Sequence, residues 1–251
     1  MTRSHARRVW REHLDSLRKQ AAAGNVPAMT DLGLDLLEGI QDRKGRSLVR
    51  RNPATALAWL RKAAGHGDPT AAGQVGYAYD VGLGTRRNVR QAVRWYRWAA
   101  TAGNPAAAAN LATVYRDAGK TRLAFQWWKR SADMGDGDSA VDVGYCHQHG
   151  IGTRREPARA KRVFKRAISS TCISQSGREA AMYHLALQFV DEGRKSLAIL
   201  LLERASADDD YPEASAVLRM LRTGQPVVPC RCRRLDNKKL RGHARCPLHP
   251  R

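Results

Sequence analysis

The sequence is poor in acidic residues and has no long apolar segment. Asp and Glu number 23 among 251 residues, against 44 Lys and Arg, which gives a formal net charge of +21 and an isoelectric point near 10.6. The longest apolar run is LAILLL, from Leu197 to Leu202, whereas a membrane-spanning helix needs about 20 apolar residues. The basic N-terminus lacks the apolar core of a signal peptide. We therefore expect a soluble protein that is cytoplasmic and has no transmembrane segment.

Cysteine is also scarce, and its five residues are an odd number. In a cytoplasmic chain an odd count argues against a disulfide framework and favours free thiols or metal ligands. The sequence contains no nucleophile with a paired base, and no carboxylate dyad, that recurs at a meaningful spacing. We therefore expect that the protein is not an enzyme.

The positive charge is distributed unevenly. In residues 225–251 eight Lys and Arg residues stand against Asp236 alone, so a net charge of +7 lies in the last 27 residues. A charge excess of this size predicts an anionic partner, which is either an acidic protein or nucleic acid.

The chain repeats itself at intervals of 32 to 38 residues. One recurrent element is typified by ALAWLRKA, and its copies begin at Ala56, Ala92, Ala124, Ala160 and Ala198. A second element precedes each copy and centres on a small residue, namely Gly33, Gly76, Ala112, Gly144 and Ala186. Both elements place apolar residues at helical spacing, and a small residue lets two helices approach closely. Each repeat is therefore predicted to be a pair of helices, called A and then B.

The ends of the B helices are marked by capping residues. Asn52, Asn88 and Glu156 occupy the predicted N-cap position, and glycine follows the last periodic residue in AAGHGDP, AATAGNP and SADMGDG. Tryptophans recur at one B position as Trp59, Trp95 and Trp127, which we predict to pack in the core. An extra basic stretch, QDRKGRSLVRR, separates the first two repeats and is interpreted as an insertion.

Two loops between A and B helices are nearly identical. VGLGTRRN begins at Val81, and QHGIGTRRE begins at Gln148. A phosphate-binding loop would need a preceding strand and a Gly-Lys-Ser/Thr ending, which neither copy has. The glycines are instead predicted to end helices at positive φ, with Leu83 and Ile151 packing the loop onto the core. The twin arginines remain exposed candidates for anion contact: Arg86, Arg87, Arg154 and Arg155.

The repeat resembles the Sel-one-like repeat family, whose members are relatives of the tetratricopeptide repeat. The unit from Gly67 to Gly103 matches the family pattern best, through Ala92, Trp95, Tyr96, Arg97, Ala99, Ala100 and Gly103. The resemblance covers roughly Arg8 to Arg222. It implies an all-α fold, an α-α superhelix that is a solenoid of stacked helix pairs, which binds partners without catalysis. Stacked helix pairs form an extended concave surface and no single deep pocket.

This resemblance divides the chain into three parts. Residues 1–24 form an N-terminal basic segment and leading helix. Residues 25–223 form the helical repeats, and residues 224–251 form a short, basic, Cys/His-containing C-terminal tail.

The A helices carry a column of polar residues. In tetratricopeptide-like stacks this helix lines the concave side, where polar side chains and tyrosines suit an extended partner segment. The predicted partner-binding residues are Asp31, Gln74, Tyr77, Asn110, Asp142, Tyr145 and His184. The alternative is that any column facing solvent is polar.

The B helices carry more arginine than the family pattern requires. Arg155, Arg159, Arg162 and Arg166 follow one another along a single helix face, and Arg90 and Arg94 add to an earlier B helix. We predict anion contact at Arg94, Arg159 and Arg162, with a simple solvated face as the alternative.

Two stretches carry residues that can bind metal. YCHQHG supplies Cys146, His147 and His149 but no evident fourth ligand. The tail supplies a C-x-C pair and, thirteen residues later, a C-x-x-H pair: Cys230, Cys232, Cys246 and His249. Three thiolates and one imidazole complete the tetrahedral shell of a structural zinc. A disordered basic tail is the alternative, and His243 is an alternative nitrogen ligand.

Two functions are compatible with these features. The first is a non-enzymatic protein–protein interaction adaptor that binds a partner segment in the concave face of the solenoid. The second is a nucleic-acid-associated factor that uses its basic helix faces and a zinc-binding tail.

Overall fold

The part of the chain that the structure describes is built almost entirely of α-helices. The computed structural model describes residues 3–41, 44–207, 211–225 and 227. The all-α fold class predicted from the repeats is confirmed. Within the described ranges no helix has both the length and the apolar composition needed to cross a membrane.

Twelve helices occupy the described residues: a leading helix and five A–B pairs, as the repeats predicted, followed by a final helix that was not predicted as a separate element. They are α1 (Arg3–Ala22), α2 (Val26–Glu38), α3 (Pro53–Gly65), α4 (Pro69–Val81), α5 (Val89–Thr101), α6 (Pro105–Asp117), α7 (Thr121–Asp133), α8 (Gly137–His149), α9 (Pro157–Ser169), α10 (Gln175–Asp191), α11 (Lys195–Ala205) and α12 (Pro212–Thr223). The A helices are the even-numbered ones from α2 to α10.

The chain divides into two compact units. Unit 1 is Met1–Leu111 and unit 2 is Ala112–Arg251, so the division falls within α6. In unit 1, α2 packs on α3 and α4 packs on α5, while α1 packs on α2. In unit 2, α8 packs on α9, α10 packs on α11, and α12 packs on α11. Each A helix of these four pairs therefore packs on the B helix that follows it, as the repeat pattern predicted.

In three A helices the small residue is a glycine that faces one large residue of the following B helix. The pairs with glycine are Gly33 with Leu60, Gly76 with Tyr96, and Gly144 with Phe164. A Cβ atom added to Gly76 would lie 2.6 Å from the ring of Tyr96, which is too close for any real contact. The predicted role of the small residue, to let two helices approach closely, is confirmed.

The tryptophan position assigned to the core from the sequence is only half-buried, so that prediction is wrong in its register. Trp59, Trp95 and Trp127 are each partly exposed. The fully packed column lies one residue later and consists of Leu60, Tyr96, Trp128, Phe164 and Leu202, which are 0 to 4% exposed. One residue turns the side chain by about 100° around the helix, so only the later column faces helix A.

Two of the three predicted B-helix caps form the expected hydrogen bond. The side chain of Asn52 accepts from Thr55 N at 3.2 Å, and that of Asn88 accepts from Gln91 N at 3.1 Å. Glu156 makes no side-chain cap bond, because its carboxylate lies 3.7 Å from the guanidinium of Arg159 instead. The loop glycines that follow the B helices have positive φ as predicted, with Gly67 at 95°.

The basic insertion between the first two repeats forms a small β-hairpin, which the sequence analysis did not predict. Strand β1 (Ile40–Gln41) pairs antiparallel with β2 (Ser47–Val49). Strand β2 lies against α1, where Arg7 Nη2 donates to the carbonyl of Ser47 at 3.3 Å. Strands of two and three residues are too short to show an alternating pattern in the sequence.

Candidate functional site

The glycines of the two GTRR loops have structural roles. Gly82 ends α4 in the left-handed conformation, at φ 79°, as predicted. A Cβ atom on Gly84, which also has positive φ, would collide with the carbonyl of Pro53 at the start of α3. Gly150 and Gly152 repeat this arrangement after α8. The loop therefore closes against the preceding B helix, and its glycines serve that closure rather than a phosphate.

The second arginine of each loop binds the end of its own A helix. In three repeats the arginine before the N-cap donates from Nε to a backbone carbonyl: Arg51 to Leu37 at 2.8 Å, Arg87 to Asp80 at 2.7 Å, and Arg155 to Gln148 at 3.2 Å. The next residue donates its backbone N–H to the adjacent carbonyl at 2.7 Å in every case. We call this arrangement the arginine clamp. It satisfies carbonyls that a helix end leaves without a partner.

The clamp assigns a structural role to two of the predicted anion-contact residues. Arg87 and Arg155 each hold a helix end through Nε, while the side chains of Arg86 and Arg154 are exposed. Anion contact at these four residues stays a prediction. The clamp itself escaped sequence analysis, although an arginine before the cap in three repeats was a visible signal.

Unit 2 brings three predicted partner-binding residues into one pocket. Asp142, Tyr145 and His184 line a cavity of about 130 Å³, together with Arg116 and Trp128. The rings of Tyr145 and His184 lie 5.2 Å apart, so α8 and α10 meet here through aromatic contact. We call this cavity the A-face pocket. It combines aromatic surface with one acidic and one basic side chain.

The floor of the A-face pocket is chemically inert. Cys146 is 1% exposed, and burial, followed by the negative charge of Asp142, raises the pKa of its thiol to about 12. The thiol is therefore protonated at neutral pH and packs as a small apolar group.

The two histidines of YCHQHG both contact aromatic rings, but only His147 is buried in the packing around α8, whereas His149 is exposed. His147 is 2% exposed and lies edge-on to Phe125, with ring centroids 5.3 Å apart. His149 lies against Tyr145 at 4.5 Å. Desolvation lowers the pKa of both, and the nearby charges of Arg159 and Arg155, respectively, lower it further. No group of three potential metal ligands occurs among the described residues.

The unit 1 members of the polar column reach solvent to different extents. Tyr77 is 41% exposed and Asp31 is also exposed, whereas Gln74 and Asn110 are half-buried. They come from α2, α4 and α6. A partner segment would therefore find its most accessible contacts in unit 1 at Asp31 and Tyr77.

The predicted basic face of α9 lines a groove in unit 2. This groove, of about 480 Å³, is bordered by Lys129, Arg159, Arg162 and Arg166 and also by Asp133 and Asp136. Lys129 lies 2.7 Å from Asp133, and Arg159 lies 3.7 Å from Glu156. In the part of the chain that the structure describes, Arg162 and Arg166 form no ion pair. Their charges are thus available to an anion.

The predicted zinc ligands all belong to the C-terminal tail. Cys230, Cys232, Cys246 and His249 lie outside the described residues, as does His243.

Stacked A–B pairs with a glycine-to-aromatic contact define an all-α helical-repeat protein, and comparison with known proteins identifies the repeat. The Sel1 repeat matches residues 26–68, 69–104, 105–136 and 137–171. These four matches cover more than half of the chain, so the protein belongs to the Sel1 repeat family, whose members generally act as protein–protein interaction scaffolds. Helices α10 to α12 continue the helical architecture beyond the matched repeats.

Two solved structures share the fold. A protective antigen of uropathogenic Escherichia coli, c5321, which displays an SLR fold, is 24% identical with a TM-score of 0.70 over 84% of this chain. The match spans 44% of that longer protein. A Sel1 repeat protein from Oxalobacter formigenes is 24% identical with a TM-score of 0.61, over 74% of this chain and 75% of that one. No curated protein matches the sequence.

Proposed function

We propose that the protein is a non-enzymatic cytoplasmic adaptor that binds a segment of a protein partner on the faces of its A helices. The observation that carries this proposal is the A-face pocket. It gathers Asp142, Tyr145 and His184 from two successive A helices around one cavity. Membership of the Sel1 repeat family supports the same class of function.

The composition of the A-face pocket suits a peptide. Tyr145 and His184, which are half-buried, offer aromatic surface for one inserted side chain above the buried Trp128, and aromatic anchors dominate many protein interfaces. Asp142 and Arg116, at the same cavity, present an acceptor and a donor that can bind backbone N–H and C=O groups of an extended segment. Tyr77 and Asp31 offer further contacts on the A helices of unit 1.

Affinity purification with matched variants tests this proposal. The tagged full-length chain is used as bait in nuclease-treated lysate, alongside Tyr145→Ala and Asp142→Asn. The control is Lys165→Ala, which removes an exposed charge from B helix α9. We expect a discrete set of polypeptides that the wild type and the control retain and that both A-face variants lose. Equal retention by all four baits contradicts the proposal.

The basic groove on α9 favours a second candidate, a nucleic-acid-associated factor. Arg162 and Arg166 project unpaired charge into a groove large enough for a phosphate backbone. Phosphate contacts make affinity fall steeply with salt. For duplex DNA, a plot of the logarithm of the association constant against the logarithm of the salt concentration falls with a slope of about 0.9 per contact. Titration of a labelled duplex at several salt concentrations tests this. The Arg162→Ala/Arg166→Ala variant should lower the slope by about 2, whereas Arg18→Ala/Arg61→Ala, which removes equal charge elsewhere, should not.

The C-terminal tail, residues 224–251, is compatible with both candidate functions. We propose that Cys230, Cys232, Cys246 and His249 bind one structural zinc and leave the surrounding arginines free for an acidic protein or nucleic acid. The support is the ligand spacing in the sequence together with the tail's low apolar content, because so short and charged a segment folds only if metal binding stabilises it.

A further inference from the structure

Three of the B helices place a tryptophan at the same position, but the residue one helical turn later differs in one of them. In α3, Lys62 Nζ lies 4.4 Å from the centre of the Trp59 ring, and in α7 the guanidinium of Arg130 lies 5.5 Å from that of Trp127. The cation comes three residues after the tryptophan in both helices. In α5 the residue three after Trp95 is Trp98. A cation of the same helix therefore lies over the indole of Trp59 and over that of Trp127, whereas the equivalent position after Trp95 holds a second indole instead of a cation.

This replacement leaves an aromatic groove in unit 1. The groove, of about 420 Å³, is lined by Gln91, Arg94, Trp95 and Trp98 from α5 and by glycines at the end of α3. Trp98 is 39% exposed, which is unusual for so large an apolar side chain. The α3 side presents Gly65 and Gly67, which have no side chains that would exclude a flat ring. We call this the twin-tryptophan groove.

The charge around the twin-tryptophan groove selects an anionic occupant. Helix α5 carries Arg90, Arg94 and Arg97 and no Asp or Glu. Arg90 and Arg94, one turn apart, are exposed and form no ion pair with any described residue. A cationic side chain from a partner would be repelled by Arg94, which lines the groove, and by Arg90, one turn before it. The ligand that suits this groove contains both planar rings, which stack on the indoles, and negative charge, which the arginines attract.

We propose that the twin-tryptophan groove binds single-stranded nucleic acid. Unpaired bases stack on Trp95 and Trp98, the phosphates contact Arg90 and Arg94, and the amide of Gln91 hydrogen-bonds to a base edge. This pairing of aromatic side chains with a basic strip is the general means by which proteins hold single strands without sequence preference. The groove is lined by residues of α3 and α5 in unit 1, whereas the A-face pocket and the α9 groove are lined by other residues in unit 2, so variants at this groove leave both of them intact.

A charge-increasing substitution tests the proposal. Trp98→Lys installs the residue that α3 has at this position, and it raises the net charge while it removes one stacking surface. Binding of a fluorescein-labelled twelve-nucleotide poly-dT is followed by anisotropy with the full chain at about 150 mM salt. Since one base stacked on an aromatic side chain contributes on the order of 5- to 150-fold in affinity, Trp98→Lys should weaken binding by that factor. Arg94→Ala should also weaken it and should lower the salt slope by about 0.7.

Matched controls separate stacking from simple charge attraction. Ala58→Lys adds the same charge at an exposed position of α3 and should bind the single strand as tightly as the wild type or slightly more so. A duplex of the same length has no free bases, so Trp98→Lys should not weaken its binding. Circular dichroism checks that each variant folds, and Trp98→Ala serves as a second variant.

Two outcomes overturn the proposal. If Trp98→Lys and Trp98→Ala bind the single strand as well as Ala58→Lys does, the tryptophans make no contact with bases. The second outcome concerns polyglutamate of equal charge. If it competes as effectively as unlabelled poly-dT, and if Trp98→Lys weakens the binding of polyglutamate, the groove is a site for an acidic protein.

Discussion

The hydroxyl group of Tyr96 gives the sharpest prediction about stability. Tyr96 is 0% exposed, and its Oη atom has no hydrogen-bond partner among the described residues. A buried hydroxyl without a partner costs about 1 to 3 kcal/mol in lost hydration. Phe164 occupies the equivalent position of α9 without a hydroxyl and is equally buried. Tyr96→Phe should therefore increase the free energy of unfolding, by about 1 kcal/mol.

Urea denaturation followed by circular dichroism measures this change. The midpoint should rise while the slope with denaturant stays constant, since the surface exposed on unfolding is almost unchanged. Tyr77→Phe is the control, because its side chain is 41% exposed and water satisfies its hydroxyl; its effect should stay within about 0.5 kcal/mol. A loss of about 1 kcal/mol or more in Tyr96→Phe would show that Oη has a partner, and would refute the reasoning.

The same residue predicts a response to alkaline pH. Burial, followed by the charges of Asp80 and Tyr77, raises the pKa of Tyr96 well above its ordinary value of 10. Below pH 10 the phenol is protonated in both the folded and the unfolded chain. Above pH 10 it ionises first in the unfolded chain, which lowers the free energy of unfolding as pH rises. Tyr96→Phe removes this contribution, so its advantage over the wild type should grow between about pH 9 and pH 11, as urea midpoints at each pH would show.

Three further predictions concern the clamp, the thiols and the tail. Arg87→Ala should lower the free energy of unfolding by about 0.5 to 1.5 kcal/mol, because the carbonyl of Asp80 loses its donor. Arg86→Ala, at the neighbouring position, should change it little. Equal melting temperatures of the two variants would contradict the clamp. In the folded protein iodoacetamide should label the exposed Cys172 and spare the buried Cys146, as peptide mass spectrometry would show, and early labelling of Cys146 would contradict its burial. Protein purified without chelator should contain one equivalent of zinc that is lost in Cys230→Ser/Cys246→Ser, and less than about half an equivalent would leave a tail without metal.

The sequence was sufficient to predict the helix pairs and the contact between them. Small residues such as Gly76 and Gly144 recur in register, and only close helix packing explains why a side chain is missing at the same place in successive repeats. The N-cap bonds of Asn52 and Asn88 were equally predictable, because a short side-chain oxygen before a helix satisfies the first N–H groups. Helix pairing and N-capping both depend on local backbone geometry, and the spacing of small, apolar and capping residues along the sequence is enough to predict that geometry.

The register of the core column was not predicted correctly. Trp95 and Tyr96 are both large and aromatic, so the hydrophobic pattern does not distinguish which of them faces helix A. The alanines on both sides supplied the missing signal: Tyr96 lies four residues after Ala92 and three and four residues before Ala99 and Ala100, whereas Trp95 lies five residues before Ala100. The arginine clamp was missed for another reason: its bonds run from a side chain to the backbone, and hydrophobic periodicity carries no information about such bonds.

The repeats also show where binding specificity can evolve in this chain. Positions that hold a repeat together recur among the copies, as Arg51, Arg87 and Arg155 do in three of the five repeats, because each of these copies must satisfy the same carbonyls. A side chain that faces solvent does not have to satisfy such a carbonyl, so the residue at that position can differ between repeats without loss of the fold. Trp98 is such a position: its equivalents, Lys62 and Arg130, cover an indole of their own helix. Tryptophan at this position leaves two rings beside the groove instead of covering one ring with a cation, and the proposed single-strand site depends on that difference.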